Sequence, residues 1–133
     1  MKYLHTMIRV KNLDDSIHFY TEKLGMQLFK KSVNEQYKYT LAFVGYDESA
    51  MIELTYNWDN TEGYDLGTAF GHIALGHDDI YSLCDSLKKK GVTIKREPNP
   101  VLGGSTHIAF ITDPDGYSIE LIQTSTMSKT DAV

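Results

Sequence analysis

The sequence predicts an α+β fold built from two βαβββ repeats, with the helices packed against a mainly antiparallel, curved sheet. Three observations lead there. The stretch "TLAFVGYDESAMIELTY" (40–56) aligns without a gap on "HIAFITDPDGYSIELIQ" (107–123), matching Ala42, Phe43, Ile52, Glu53 and Leu54 to Ala109, Phe110, Ile119, Glu120 and Leu121. The same offset of 67 residues carries His5 onto His72. Each half also reads as a strand, a glycine-terminated helix and three further strands. Two copies make a duplication and not a solenoid. The expectation is one domain over residues 1–124, with halves at about 1–60 and 68–124, followed by a small, polar, flexible tail at 125–133.

The elements follow in chain order. Residues 3–10 alternate as a strand, with Leu4, Thr6, Ile8 and Val10 on one face and His5, Met7 and Arg9 on the other. A helix spans about Asn12 to Leu24: Asn12 or Asp14 caps it, Ile17, Tyr20 and Leu24 form its apolar stripe, and Gly25 stops it. Strands near 26–32, 37–44 and 50–57 complete the first half. The second half opens with a strand near 71–76 and a helix near 79–90 with the stripe Ile80, Leu83, Cys84 and Leu87. Lys88, Lys89 and Lys90 suit the negative end of that helix, and Gly91 ends it. Strands near 92–96, 107–112 and 117–123 follow, with "DPDGY" (113–117) turning between the last two.

Composition narrows the class. The chain has 133 residues, 41% of them apolar, enough to bury a core. A net charge of −5 with dispersed Lys and Arg argues against nucleic-acid binding. The single cysteine, Cys84, excludes an intramolecular disulfide and suits a reducing compartment. No apolar run reads as a signal peptide or a membrane span, so the expected location is the cytoplasm, with no membrane partner.

Glu53 and Glu120 lie inside strands that are otherwise rich in apolar residues. A carboxylate there is costly to desolvate unless it is paired, hydrogen-bonded or bound to metal. With His5 and His72 they form a mixed nitrogen and oxygen donor set, suited to a borderline divalent ion such as Ni²⁺, Co²⁺ or Zn²⁺. A closed structural zinc site would use cysteines, and only one exists. One histidine on a sheet face is more often a satisfied polar residue than a ligand; four residues related by one offset reverse that weighting. His18, His77 and His107 lack such partners and read as surface or helix residues. Cys84 reads as inert core, and the aromatic "YKYTLAF" as sheet packing with one or two rings available to line a pocket.

The motifs "LHTMIRV", "DSIHFY", "LGM", "YKYTLAFVGY", "IELTYNW", "GTAFGHIAL" and "DPDGYSIELIQ" resemble bacterial glyoxalase I enzymes of the vicinal oxygen chelate superfamily, over residues 1 to 124. The resemblance implies that His5, Glu53, His72 and Glu120 are the ligands of one divalent metal per site. Its compact form implies nickel or cobalt, with zinc also accommodated. It implies isomerisation of the hemithioacetal of methylglyoxal and glutathione to S-D-lactoylglutathione, by proton transfer through a metal-stabilised enediolate. Glutathione is then the thiol co-substrate and methylglyoxal detoxification the cellular role. The resemblance further implies a homodimer with active sites at the interface, His5 and Glu53 coming from one subunit and His72 and Glu120 from the other. Arg9 and Asn57 match positions that bind the γ-glutamyl group, and Thr55 lies between Glu53 and Asn57 on one strand face. For the proton transfer Glu120 is favoured, with Glu53 as its symmetry-related competitor. One departure stands out: the loop "PVLGG" carries Leu102 where many relatives have Lys, leaving Lys95 or Arg96 to meet the far carboxylate of the thiol. Two rivals share the scaffold, an iron-dependent extradiol dioxygenase with two His and one carboxylate, and a metal-free drug-sequestering protein. Four aligned ligands disfavour both.

Overall fold

The structure is a computed structural model and describes residues 1–131. It divides into two compact units, Met1–Asp65 and a second that begins at Leu66. Each unit builds its own four-stranded sheet in βαβββ order, so the repeat seen in the sequence is a repeat of structure.

In the first unit the strands are β1 (His5–Arg9), β2 (Gln27–Asn34), β3 (Tyr39–Gly45) and β4 (Met51–Asn57), in the spatial order β1-β4-β3-β2. β1 runs parallel to β4 and the other two pairs are antiparallel. Alternation along the strands separates two faces. Ile8, Ala42, Val44, Ile52 and Leu54 are buried on the face that α1 covers. His5, Met7, Arg9, Phe43, Glu53, Thr55 and Asn57 share the other.

Helix α1 (Leu13–His18) starts where the sequence places it: the Asn12 side chain accepts a hydrogen bond from the backbone N–H of Asp15 at 3.0 Å. It does not continue as an α-helix to Leu24. From Phe19 to Lys23 the chain widens into a π turn, with Leu24 N bonded to the Phe19 carbonyl five residues back. Thr21 Oγ1 donates to the Ile17 carbonyl at 2.7 Å in the preceding turn. The wide turn buries both Phe19 and Tyr20 and leaves Ile17 only partly covered. Gly25, at φ 76°, then ends the helix.

The second unit contains β5 (Ile73–His77), α2 (Ile80–Lys89), β6 (Ile94–Pro100), β7 (His107–Thr112) and β8 (Ser118–Gln123), ordered β5-β8-β7-β6. β5 is parallel to β8. Asp79 caps α2 by accepting from the N–H groups of Tyr81 and Ser82. Ile80, Cys84 and Leu87 are buried against the sheet. The turn at 113–117 is held by Asp113 Oδ1, which accepts from Asp115 N and Tyr117 N.

The register carries the duplication to the level of strand pairing. Glu53 lies between Met7 and Phe43, and Glu120 between Ala74 and Phe110. Every one of these positions is related by the 67-residue offset. The segment expected to fray is hydrogen-bonded as far as Asp131; residues 132–133 lie outside the described residues. No helix among the described residues is long and apolar enough to cross a membrane.

Leu54 is fully buried at the centre of β4, where its side chain packs under α1. Leu54→Ala is expected to lower the unfolding free energy by about 3 kcal/mol, read from the denaturant midpoint. An unchanged midpoint would contradict a packed helix face at this position.

Candidate active site

In each unit the structure brings one histidine onto one glutamate. His5 Nε2 lies 3.3 Å from Glu53 Oε2, and His72 Nε2 lies 2.8 Å from Glu120 Oε2. His5 opens β1 and Glu53 occupies the middle of β4 on the same face. His72 immediately precedes β5, and Glu120 sits in the middle of β8. A phenylalanine flanks each imidazole edge-on, Phe43 at 5.1 Å from His5 and Phe110 at 5.4 Å from His72. Both rings stand directly across the strand pair from the glutamate. The repeat alignment already matched Phe43 to Phe110. Reading Phe43 within "YKYTLAF" as sheet packing did not indicate its second contact, with His5.

The two pairs are not equivalent. The Glu53 side chain keeps 17% of its surface exposed, and that of Glu120 only 4%. Glu120 Oε2 is wholly buried and makes no hydrogen bond among the described residues, despite its closeness to His72. A buried carboxylate oxygen without a donor is costly. Its neighbour is an imidazole nitrogen, itself able to offer a lone pair, so the two atoms suit a shared cation better than each other. The donor set therefore fits a divalent metal. Among the described residues, however, no three or more His, Cys, Asp or Glu side chains gather at one point. Each unit supplies two donors, half of the set the sequence suggested.

A cavity of about 550 Å³ in the first unit is lined by Arg9 and Asn57 and by the loop from Asp59 to Tyr64. Tyr64 OH donates to Asn57 Oδ1 at 3.0 Å, fixing the amide at the cavity wall. Thr55 pairs with Arg9 in register but is buried and does not line this cavity. The loop residues had no periodic signal in the sequence. In the second unit a cavity of about 310 Å³ is lined by Gly71, His72, Lys95, Arg96, Phe110 and Ser118. Lys95 and Arg96 thus stand beside His72, whereas Leu102 is fully exposed at a loop tip. Arg96 Nη2 donates to Asn99 Oδ1 at 2.5 Å and to the Pro100 carbonyl at 3.1 Å.

Two of the remaining histidines, His77 and His107, have other partners. His77 Nδ1 accepts from Asp79 N, and His107 Nδ1 lies 2.7 Å from Tyr81 OH. Burial pushes the Cys84 thiol up, with Glu97 acting in the same direction, so this side chain is no nucleophile at neutral pH.

Comparison with known proteins agrees with the fold. The family described as the Glyoxalase/Bleomycin resistance protein/Dioxygenase superfamily matches residues 2–121. A probable lactoylglutathione lyase of Vibrio parahaemolyticus is 66% identical over 92% of this chain and 90% of its own. The lactoylglutathione lyase of Haemophilus influenzae is 56% identical over 92% and 93%. Among solved structures, glyoxalase I from Zea mays superposes with a TM-score of 0.87 at 50% identity, over 92% of this chain and 44% of that one. The chain thus spans less than half the length of the maize enzyme. The trypanothione-dependent glyoxalase I of Leishmania major superposes with a TM-score of 0.84 at 43% identity, over 99% and 94%.

Proposed function

The chain belongs to the Glyoxalase/Bleomycin resistance protein/Dioxygenase superfamily and groups there with the lactoylglutathione lyases, and we propose that it isomerises the methylglyoxal–glutathione hemithioacetal to S-D-lactoylglutathione. His5, Glu53, His72 and Glu120 would hold one divalent metal per site, nickel or cobalt in preference to zinc. The observation that carries this reading is the buried, donor-less Oε2 of Glu120 against His72, with a second His–Glu pair at the same offset.

The bound ion would supply Lewis acidity to the two vicinal oxygens of the substrate. The protein's own part is positioning and proton transfer. Glu120 takes the proton from C1 of the hemithioacetal and returns it to C2. Its burial on the sheet face it shares with Phe110 keeps bulk water from the carboxylate during that exchange. Glu53, more exposed, is the competitor. Arg9 and Asn57 would take the γ-glutamyl end of the thiol, with the Arg9 guanidinium pairing its carboxylate. Thr55 lies between Glu53 and Asn57 on the same strand face and would add to the substrate contacts there. Lys95 and Arg96, lining the cavity beside His72, would meet the far carboxylate in place of the lysine that Leu102 replaces.

We assign the working form as a homodimer in which each site takes His5 and Glu53 from one subunit and His72 and Glu120 from the other. In support, each unit offers two donors, and His5, Met7 and Arg9 present an exposed strand face. Detoxification of methylglyoxal in the cytoplasm completes the reading, in keeping with the acidic chain and its one reduced cysteine.

The test is thioester formation from methylglyoxal and glutathione by metal-stripped protein reloaded separately with Ni²⁺, Co²⁺ and Zn²⁺. Nickel or cobalt should restore most of the activity and zinc little. Failure of every ion would overturn the proposed function, and zinc outperforming nickel would overturn the metal preference.

A further inference from the structure

The segment after β8 does not leave the molecule. It folds back on the loop Val101–Ser105 that joins β6 to β7. Asp131 Oδ2 accepts from the backbone N–H of Ser105 at 3.0 Å and of Thr106 at 2.7 Å, and lies 2.6 Å from Thr106 Oγ1. Thr106 is fully buried, and its hydroxyl also meets the Thr126 carbonyl at 3.2 Å and accepts from Ser128 N at 3.1 Å. His107 N donates to Thr126 Oγ1 at 2.8 Å, closing the same seam.

Gly104 makes room for this arrangement: a Cβ there would collide with the Asp131 carboxylate and with the Val101 side chain. Three donors converge on one carboxylate oxygen, and the Thr106 hydroxyl, followed by its amide, holds the Asp131 carboxyl below the usual carboxylate range. Asp131 is therefore an anion at neutral pH.

The far end of the loop is tied to the second-unit cavity. Arg96, which lines that cavity with His72 and Lys95, bonds the Pro100 carbonyl and Asn99 where β6 runs into the loop. We propose that residues 124–131 form a C-terminal clasp in which Asp131 is a positioning residue, fixing the Val101–Ser105 loop and through it the Arg96 wall of the anion-binding cavity beside His72. The proposal rests on the lyase reading for the identity of the anion, a carboxylate of the thiol co-substrate. It does not rest on that reading for the clasp itself. Asp131 touches neither metal ligands nor substrate, so its loss should weaken the hold on the anionic substrate and leave the proton transfer intact.

The experiment compares metal-loaded wild-type protein with Asp131→Ala and Gly104→Ala. The second variant displaces the clasp while leaving the Asp131 charge in place. Amide hydrogen exchange at Ser105 and Thr106 should accelerate at least about tenfold in both. The KM for the hemithioacetal and the dissociation constant for glutathione should rise together by about three- to tenfold, with kcat within about twofold of wild type. Metal stoichiometry and the circular dichroism spectrum should be unchanged. Unaltered exchange at Ser105 and Thr106 would overturn the clasp. Faster exchange with unaltered KM and glutathione affinity would overturn its positioning role. Wild-type protein that protects these amides but makes no thioester would instead sink the lyase reading, and glutathione affinity would then decide the positioning role alone.

Discussion

Replacing Glu120 with Gln is expected to lower kcat by about a thousandfold while the protein keeps its full metal complement. The amide oxygen of Gln can still ligate a divalent ion, and its size fits the same buried space beside Phe110. It cannot accept a proton. Metal content and KM should therefore stay near wild type, and the loss should appear in the proton-transfer step alone, visible as slowed loss of deuterium from the C1 position. Glu120 is favoured over Glu53 on two observations. Its side chain is 4% exposed against 17%, and among the described residues its Oε2 is buried without a hydrogen-bond donor. The matched variant Glu53→Gln should cost no more than about tenfold. A larger loss from Glu53→Gln than from Glu120→Gln would transfer the role to Glu53, and full turnover by Glu120→Gln would remove it from Glu120.

The sequence exposed the proposed ligands because the duplication writes them twice. A glutamate within "IEL" and a histidine 48 residues before it form a weak signal once and a strong one when repeated. Strand alternation was equally legible, since burying Ile52 and Leu54 forces Glu53 and Thr55 to the opposite face. Other features had no local signal. The π turn at Phe19–Lys23 is fixed by the packing of Phe19 and Tyr20, which outweighs the helical periodicity through Leu24. Polar composition pointed to a frayed tail, yet the side chains of Thr126 and Asp131 and the backbone N–H of Ser128 meet the polar groups of Ser105, Thr106 and His107. The loop from Asp59 to Tyr64 reads as an ordinary connection until Tyr64 is seen bonded to Asn57. Sequence offset also carries no distance: it related four candidate ligands without indicating that each compact unit holds only two.

That division into pairs yields the second large effect. His5→Ala and His72→Ala should each be nearly inactive alone, because both sites of the proposed homodimer would then lack one imidazole. Mixed and allowed to exchange subunits, the two inactive proteins should recover about one quarter of the wild-type rate. The number follows from the arrangement. Random exchange makes about half of the dimers mixed, and in each mixed dimer one site carries both lesions while the other carries neither. The intact site joins His5 and Glu53 of the His72→Ala subunit to His72 and Glu120 of the His5→Ala subunit. If all four ligands of a site came from one chain, every chain in the mixture would keep its lesion and no rate would return. Exchange itself is verified by native mass spectrometry of the mixture, so a missing recovery with mixed dimers present would overturn the shared site. Recovery well above one quarter would be equally informative, since it would require residual activity in sites that lack one histidine. The same mixture tests the Glu120 assignment. Glu120→Gln paired with His72→Ala places both lesions on the same half of the site, so neither site in the mixed dimer is whole and no activity should return. Paired with His5→Ala, Glu120→Gln should again give about one quarter.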